Sequence, residues 1–161
     1  MTEFKVTSSA ETKALAASLA AIVQPGTVVA LKGPLGSGKT TFTQGFGKAL
    51  GIKRAIKSPT YTIVKEYPIA DGSSTLIHID AYRLEKGGAD SIDLPSYLRD
   101  DTIILIEWPQ FLADYFPADY LEVTFQPMED ESKRQIEVTF QEQTTDHYLK
   151  LINEWKKNWE G

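Results

Sequence analysis

The amino-acid sequence predicts an α/β fold, and two observations carry that prediction. A short apolar strand at 27–32 runs into a glycine-rich loop and then into a helix whose apolar residues recur at helical spacing. Two further apolar strands, Thr75–Asp80 and Thr102–Glu107, each end in a carboxylate. Strands that alternate with helices in this way are typical of a sheet whose faces are covered by helices.

The glycine-rich loop fits the P-loop pattern of Gly, four residues, Gly, Lys, and Ser or Thr. Glycines let backbone N–H groups approach phosphate oxygens closely. Lys39 is expected to contact the β- and γ-phosphates as a cation, and the Thr40 hydroxyl to be a ligand for Mg²⁺. Because strand, loop and helix occur together, the pattern predicts a nucleotide-phosphate site rather than an ordinary turn. The residues expected to contact the nucleotide are Gly33, Gly36, Ser37, Gly38, Lys39, Thr40 and Thr41.

Length and composition predict a single domain spanning 1–161, since 161 residues with 42% hydrophobic and 24% charged residues are ordinary for a globular protein. No apolar run is long enough for a membrane span, and the first residues lack the pattern of a signal peptide. The absence of cysteine excludes disulfides and thiolate metal sites. We therefore expect a cytoplasmic protein that has no contact with a membrane.

Charge argues against a protein that binds nucleic acid mainly through bulk electrostatics, because the formal net charge is −5. A local exception is a cluster of basic residues. The cluster is either a solvent-exposed face or a surface that contacts an RNA or an acidic partner. Its members are Lys48, Lys53, Arg54 and Lys57.

A helix is predicted to begin at Ser8, because Ser8 and Glu11 have the spacing of a capping box. Its apolar residues share one face until Pro25 and Gly26 end the helix. The positions that can lie near the nucleotide base or its phosphates, and that the sequence does not rank, are Glu11, Thr12 and Arg134.

Two hairpins and a closing helix complete the predicted elements. The strand at 62–67 pairs with Thr75–Asp80, and the strands at 120–126 and 135–141 form the second hairpin. A short helix or a packed loop is predicted over 92–98, and a short helix over 111–116. The closing helix carries apolar and aromatic residues at helical spacing, which predicts core packing: Tyr148, Leu151, Ile152, Trp155 and Trp159.

The two strand-ending carboxylates, Asp80 and Glu107, are expected to face the Thr40 hydroxyl and Mg²⁺. An ionised carboxylate after an apolar strand is costly unless it meets a cation, water or donors, and ligands of α/β sheets lie at the carboxyl ends of the strands. Glu107 is assigned to the metal and Asp80 to catalysis, although the residues alone leave these roles interchangeable. His78 is interpreted as a satisfied strand residue, and Arg83 as either a charge for the phosphate or a loop brace.

Thr60 lies in a loop between the P-loop helix and the next strand. Switch-type nucleotide hydrolases place a γ-phosphate sensor at this position. The residues leave two interpretations open, a sensor or an ordinary turn residue.

Four segments in order resemble the TsaE (formerly YjeE) family of small P-loop ATPases in bacterial tRNA threonylcarbamoyladenosine synthesis. They are 31–41, 57–62, His-Ile-Asp-Ala-Tyr-Arg at 78–83 and Leu-Ile-Glu-Trp at 105–108. The pair Glu107-Trp108 and the triplet Ser58-Pro59-Thr60 are the most specific. The resemblance implies a P-loop NTPase fold with a central parallel sheet flanked by antiparallel strands, which agrees with the two hairpins.

The resemblance also implies an activity. Members are Mg²⁺-dependent ATPases needed to form threonylcarbamoyl adenosine 37 in tRNAs that read codons beginning with A. They act with a threonylcarbamoyl transferase (TsaD) and its paralogous, non-catalytic partner subunit (TsaB), and meet tRNA through that complex. ATP and Mg²⁺ are thus the expected ligands, with Lys39 on the phosphates, Thr40 and Glu107 on Mg²⁺, and Asp80 and Thr60 near the γ-phosphate. Hydrolysis is expected to be slow without the partners.

Three other functions are compatible with a P-loop. A small-molecule kinase usually has an acceptor site and an arginine-rich lid, and no stretch of this sequence resembles either. A GTPase carries an Asn/Thr-Lys-x-Asp motif that is missing here. A non-enzymatic assembly module, gated by bound nucleotide, is left open by the sequence.

Overall fold

The computed structural model describes residues 2–34, 36–53, 64–69, 72, 74–82, 84, 87–88, 92–127, 134–140 and 146–160. Thr60, Arg83, Arg54 and Lys57 lie outside the described residues, as does the triplet Ser58-Pro59-Thr60. The predictions made for them therefore stay predictions.

Within the described residues, seven strands form one sheet in the order β1-β7-β6-β2-β5-β4-β3. The neighbours β6, β2, β5 and β4 run parallel, whereas β1, β7 and β3 pair antiparallel at the two edges. The predicted parallel centre with antiparallel flanks is confirmed. The strands are β1 Thr2–Val6, β2 Val28–Lys32, β3 Val64–Pro68, β4 Thr75–Asp80, β5 Thr102–Glu107, β6 Leu121–Pro127 and β7 Arg134–Phe140.

The described helices are α1 Ser9–Ala20, α2 Lys39–Ala49, α3 Leu94–Tyr97, α4 Asp146–Glu160 and a 3₁₀ helix, Pro109–Tyr115. The predicted cap of α1 is confirmed, because the Ser8 side chain accepts a hydrogen bond from Glu11 N at 3.1 Å. Gly51 follows α2 with φ 83°, and the amides of Gly51 and Ile52 donate to the oxygens of Lys48 and Gly47. This is a Schellman motif, which explains why α2 ends there.

Alternate residues of the parallel strands divide the core between the two faces of the sheet. Val29, Leu31, Leu76 and Leu105 pack with α1, α2 and α4 on one face. The opposite face is covered by α3 and the 3₁₀ helix: Ile77, Ile79, Ile104, Ile106, Leu94 and Leu112 are buried there. Because strand residues alternate between faces, His78, Asp80 and Glu107 fall on the α2 face.

Two contacts hold the helices of that face together. A Cβ at Gly45 of α2 would lie 2.6 Å from Lys13 Cα of α1, so the two helices cross with no room for a side chain. Trp155 of α4 is buried and donates from Nε1 to Leu15 O at 3.1 Å and Ser18 Oγ at 3.0 Å. The predicted core role of Trp155 is confirmed. Among the described residues, no helix has the length and hydropathy to cross a membrane.

Candidate nucleotide-phosphate site

The loop between β2 and α2 has a backbone that depends on glycine. Gly33, Gly36 and Gly38 all have positive φ, at 154°, 77° and 108°. At Gly33 a Cβ would meet Ser37 Oγ at 2.7 Å and Phe125 Cβ at 2.9 Å, so a side chain cannot be placed there. At Gly36 nothing lies within 4 Å of the added Cβ, so this part of the loop faces open space. The loop is therefore tight on its inner side and open on its outer side.

The start of α2 offers donors that the described residues leave unused. Ser37 is only 2% exposed, yet its hydroxyl has no hydrogen-bond partner among the described residues. Buried polar groups are nearly always paired in folded proteins. Gly38 at the N-cap supplies no side-chain cap either, so the first N–H groups of α2 suit an anion. This donor set fits phosphate oxygens.

Lys39 is a buried cation beside the loop. Its side-chain Nζ donates to Gly33 O at 2.6 Å and lies 3.6 Å from the centre of the Trp108 ring. Burial lowers the pKa of Lys39, while the charges of Glu107 and Asp80 act in the opposite direction. An ammonium group held by a carbonyl and an aromatic face suits an anion at the loop.

Asp80 and Glu107 occupy equivalent positions at the ends of β4 and β5, where the two residues are register partners. Their surroundings differ. Glu107 is 2% exposed and accepts a hydrogen bond from His78 Nε2 at 2.6 Å. Asp80 is half-buried, and its Oδ1 accepts from Tyr82 N at 3.1 Å. The Glu107 carboxylate is thus bound by a residue of the neighbouring strand, and the Asp80 carboxylate by a backbone amide two residues further along the chain.

His78 belongs to this site, which the sequence did not predict. Its Nε2 is satisfied by Glu107, but its buried Nδ1 has no partner among the described residues, so the expectation of a fully satisfied residue is wrong. Because an ionised carboxylate only accepts, Nε2 must carry the hydrogen. The available signal was the spacing of two between His78 and Asp80, which puts both on one face of a strand.

Trp108 closes the strand end over Lys39. Its φ of 57° is unusual for a bulky residue and turns the chain directly after Glu107. The ring contacts those of Tyr82 and Phe111, with centroid distances of 5.0 and 6.3 Å. The sequence singled out Trp108 only as a family signature, because a backbone turn of this kind is not encoded in residue type.

Of the three possible base or phosphate neighbours, Thr12 lies near the loop. It is buried, and its methyl group is 3.9 Å from a Cβ added at Gly38. Glu11 instead accepts hydrogen bonds from the amide and hydroxyl of Thr7, which lower its pKa. The Arg134 side chain lies outside the described residues.

The described residues contain no group of three or more His, Cys, Asp or Glu that could hold a metal. Mg²⁺ at nucleotide sites is usually bound by one or two carboxylates, waters and substrate phosphates rather than by a protein cage. Thr40 is half-buried in the first turn of α2, and a hydroxyl with the Glu107 carboxylate is a suitable oxygen donor set.

A family model described as "Threonylcarbamoyl adenosine biosynthesis protein TsaE" matches residues 6–136. The chain belongs to the TsaE family. Two members named tRNA threonylcarbamoyladenosine biosynthesis protein TsaE are similar over most of their length. That of Bacillus subtilis is 42% identical over 130 residues, covering 81% of this chain and 78% of its own. That of Nostoc sp. is 38% identical over 143 residues, covering 86% of each chain.

The fold has a solved counterpart. The crystal structure of Bacillus subtilis YdiB superposes with a TM-score of 0.79 and 33% identity, covering 97% of this chain and 94% of that one. The TsaE match includes the loop at 33–41 and both strand ends at 80 and 107. The resemblance inferred from the four segments is therefore confirmed at the level of family and fold.

Proposed function

We propose that this TsaE-family protein is a Mg²⁺-dependent ATPase that supports formation of threonylcarbamoyladenosine in tRNA, together with the transferase and its paralogous subunit. The observation that carries the ATPase is the position of the Lys39 ammonium. It touches the P-loop through Gly33 O, and its pKa is influenced by both Asp80 and Glu107. The phosphate loop and the two strand-ending carboxylates, which would bind phosphate and metal, therefore act on one cation.

Lys39 and the loop would bind the substrate. The Lys39 ammonium would move from Gly33 O to the phosphate oxygens, and its partial burial strengthens that interaction because water competes less. The unpaired Ser37 hydroxyl and the first amides of α2 would donate to the same anion. Binding would thus supply partners for groups that the described residues leave without one.

Thr40 and Glu107 would hold the metal ion. Mg²⁺, when bound, supplies positive charge that neutralises charge developing on the β- and γ-phosphates. His78 would act as a positioning residue, because its Nε2–H fixes one oxygen of Glu107 and leaves the other for the site. Because the side chains of His78 and Glu107 are both buried, the Glu107 carboxylate would be kept in one orientation.

Asp80 would orient the attacking water. Its half-buried carboxylate lies one strand from Glu107 and is accessible from solvent, unlike Glu107. In the reaction, water oxygen bonds to the γ-phosphorus, the bond from that phosphorus to the bridging β–γ oxygen breaks, and a water proton passes to Asp80 or to solvent. The products are ADP and phosphate. Thr60 is assigned to the γ-phosphate on sequence grounds alone.

A second cation is expected from the partner proteins. Phosphoryl transfer depends largely on positioned positive charge, and a charge supplied by a partner accelerates it about 10³–10⁵-fold in other P-loop hydrolases. Lys39 is the cation that the described part of the site contributes. We therefore expect slow hydrolysis by the chain alone and faster turnover in the complex.

The decisive experiment follows release of label from [γ-³²P]ATP with Mg²⁺ or EDTA, with and without the transferase pair. Label should appear as inorganic phosphate, only with Mg²⁺, and faster with the pair. Equal turnover with and without the pair would refute the role of the partners. Label in any other product would indicate a kinase, and full tRNA modification by a Glu107→Ala variant that binds ATP would indicate a non-enzymatic module.

A further inference from the structure

A groove of 980 Å³ lies between α1 and α2, away from the phosphate loop. Small and apolar residues line it from both helices and from the turn after α2, and lysines lie among them. The residues used below are Lys13, Ala14, Ala17, Lys48, Ala49 and Lys53.

The lysines give the groove a positive charge that nothing in the described structure neutralises. Lys13, Lys48 and Lys53 are all exposed, and no described residue forms a salt bridge with any of them. Lys48 has a local role as well, because a cation in the last turn of α2 offsets the helix dipole. Lys13 and Lys53 have no such role. Three ammonium groups around one groove, none with a salt bridge to the described part of the chain, contrast with a formal net charge of −5.

The shape of the groove suits a helix. Gly45 brings α1 and α2 into direct backbone contact, which leaves a shallow channel between their outer surfaces. Ala14, Ala17 and Ala49 have short side chains, so the backbone of a third helix can approach closely and pack ridges into this channel. An amphipathic helix in a groove is a common mode of protein recognition.

We propose that this groove docks an acidic, amphipathic helix of a protein partner, with its apolar face on the alanines and its carboxylates on the three lysines. RNA is the less suitable occupant, because its polar backbone would leave the apolar alanine surface uncovered and the net charge of the chain opposes it. Since α2 runs from the phosphate loop to the groove, the partner would contact the helix that begins at the nucleotide. The proposal rests on the proposed function, because the transferase pair is the partner to be tested.

The test is a charge-reversal variant with a matched control. The groove variant combines Lys13→Glu, Lys48→Glu and Lys53→Glu. The control combines Lys150→Glu, Lys156→Glu and Lys157→Glu on α4, which are also exposed and change the net charge equally. Binding of the purified transferase pair is measured by calorimetry at two salt concentrations. The groove variant should bind at least about tenfold more weakly with reduced salt dependence, and the control within about twofold of wild type.

A second variant, Ala14→Gln with Ala49→Gln, fills the groove without changing its charge. It should also weaken binding, and both helices tolerate glutamine at exposed positions. Wild-type affinity in either groove variant would overturn the proposal, as would loss of affinity for tRNA alone with unchanged affinity for the pair. Failure of the wild type to bind the pair would overturn it too. ATP hydrolysis by each preparation alone tests the proposed ATPase separately.

Discussion

Both ends of the parallel strands carry hydrogen-bonded polar groups, but the two ends differ in what these groups do. At the amino end, Val28 N donates to Tyr148 Oη at 3.0 Å, and the hydroxyls of Thr27 and Thr102 donate to the carbonyls of Gln24 and Tyr97. At the carboxyl end, His78 Nε2 donates to Glu107 at 2.6 Å, but Ser37 Oγ and His78 Nδ1 are buried without a partner among the described residues. The first arrangement stabilises the fold, whereas the second leaves two buried polar atoms that the proposed ligand would pair with.

The difference separates stability from activity. Polar groups that are left unpaired at a functional site lower the stability of the fold. Selection keeps such groups where they bind substrate. Substitutions at the carboxyl end should therefore impair hydrolysis with little loss of stability. Substitutions at the amino end should do the reverse.

The largest effect is expected for Lys39→Ala. Removal of the cation should lower hydrolysis at least about 100-fold, the usual loss for one electrostatic group in a reaction centre. Burial already disfavours the charged side chain, as its lowered pKa indicates, so the melting temperature should stay the same or rise. Phosphate release and thermal unfolding measure the two effects. A large fall in melting temperature would contradict the contrast between the two ends.

The two carboxylates should lose activity in different ways. Asp80→Asn and Glu107→Gln should each lower hydrolysis about 10²-fold. The Mg²⁺ concentration for half-maximal activity should rise with Glu107→Gln alone, since Glu107 is assigned to the metal. A Mg²⁺ titration of both variants measures this concentration. Asp114→Asn, at an exposed position, is the control. A shift confined to Asp80→Asn would reverse the assigned roles.

The amino end is tested by Tyr148→Phe. This change removes the acceptor of the Val28 amide and should lower the free energy of unfolding by about 1–3 kcal/mol, because a buried donor is left unpaired. Hydrolysis per folded molecule should not change. Denaturant unfolding measures the loss, and Tyr115→Phe, at a partly exposed position, is the control. Reduced hydrolysis with unchanged stability would be the opposite of what we expect.

Tyr148 also predicts a dependence on pH. Burial raises the pKa of Tyr148, the bond from Val28 N lowers it, and Asp119 raises it, with a net upward shift from 10.0. A raised folded-state pKa favours the protonated form, so this contribution is complete below pH 10.0 and is lost as pH rises through the folded-state value. The wild type should therefore lose stability in that range more steeply than Tyr148→Phe.

The smallest effect is expected for Ser37→Ala. It removes a buried hydroxyl that has no partner among the described residues, so stability should be unchanged or slightly higher. Affinity for ATP should fall a few-fold, about the worth of one hydrogen bond. Calorimetric titration with a non-hydrolysable ATP analogue measures it. Unchanged affinity with lower stability would mean that the hydroxyl has a structural partner.

Local patterns predicted much of this molecule. The bounds of β4 and β5 are as predicted, because an apolar run that ends in a carboxylate defines its own limit. β1 was missed, since Phe4 and Val6 alternate over only five residues and pair with β7, far along the chain. His78 was missed as a partner of Glu107 for the same reason, because that contact depends on the register between two strands.

The strand order also constrains synthesis of the chain. The strands β2, β4 and β5, which position the loop and both carboxylates, are complete once Glu107 has left the ribosome. Two strands emerge later. They are β6, which pairs with the other edge of β2, and β7, which pairs with β1. A nascent chain stopped before residue 134 would therefore hold β1 unpaired. Unpaired strands of this kind favour aggregation, so this protein should depend on chaperones during translation more than after release.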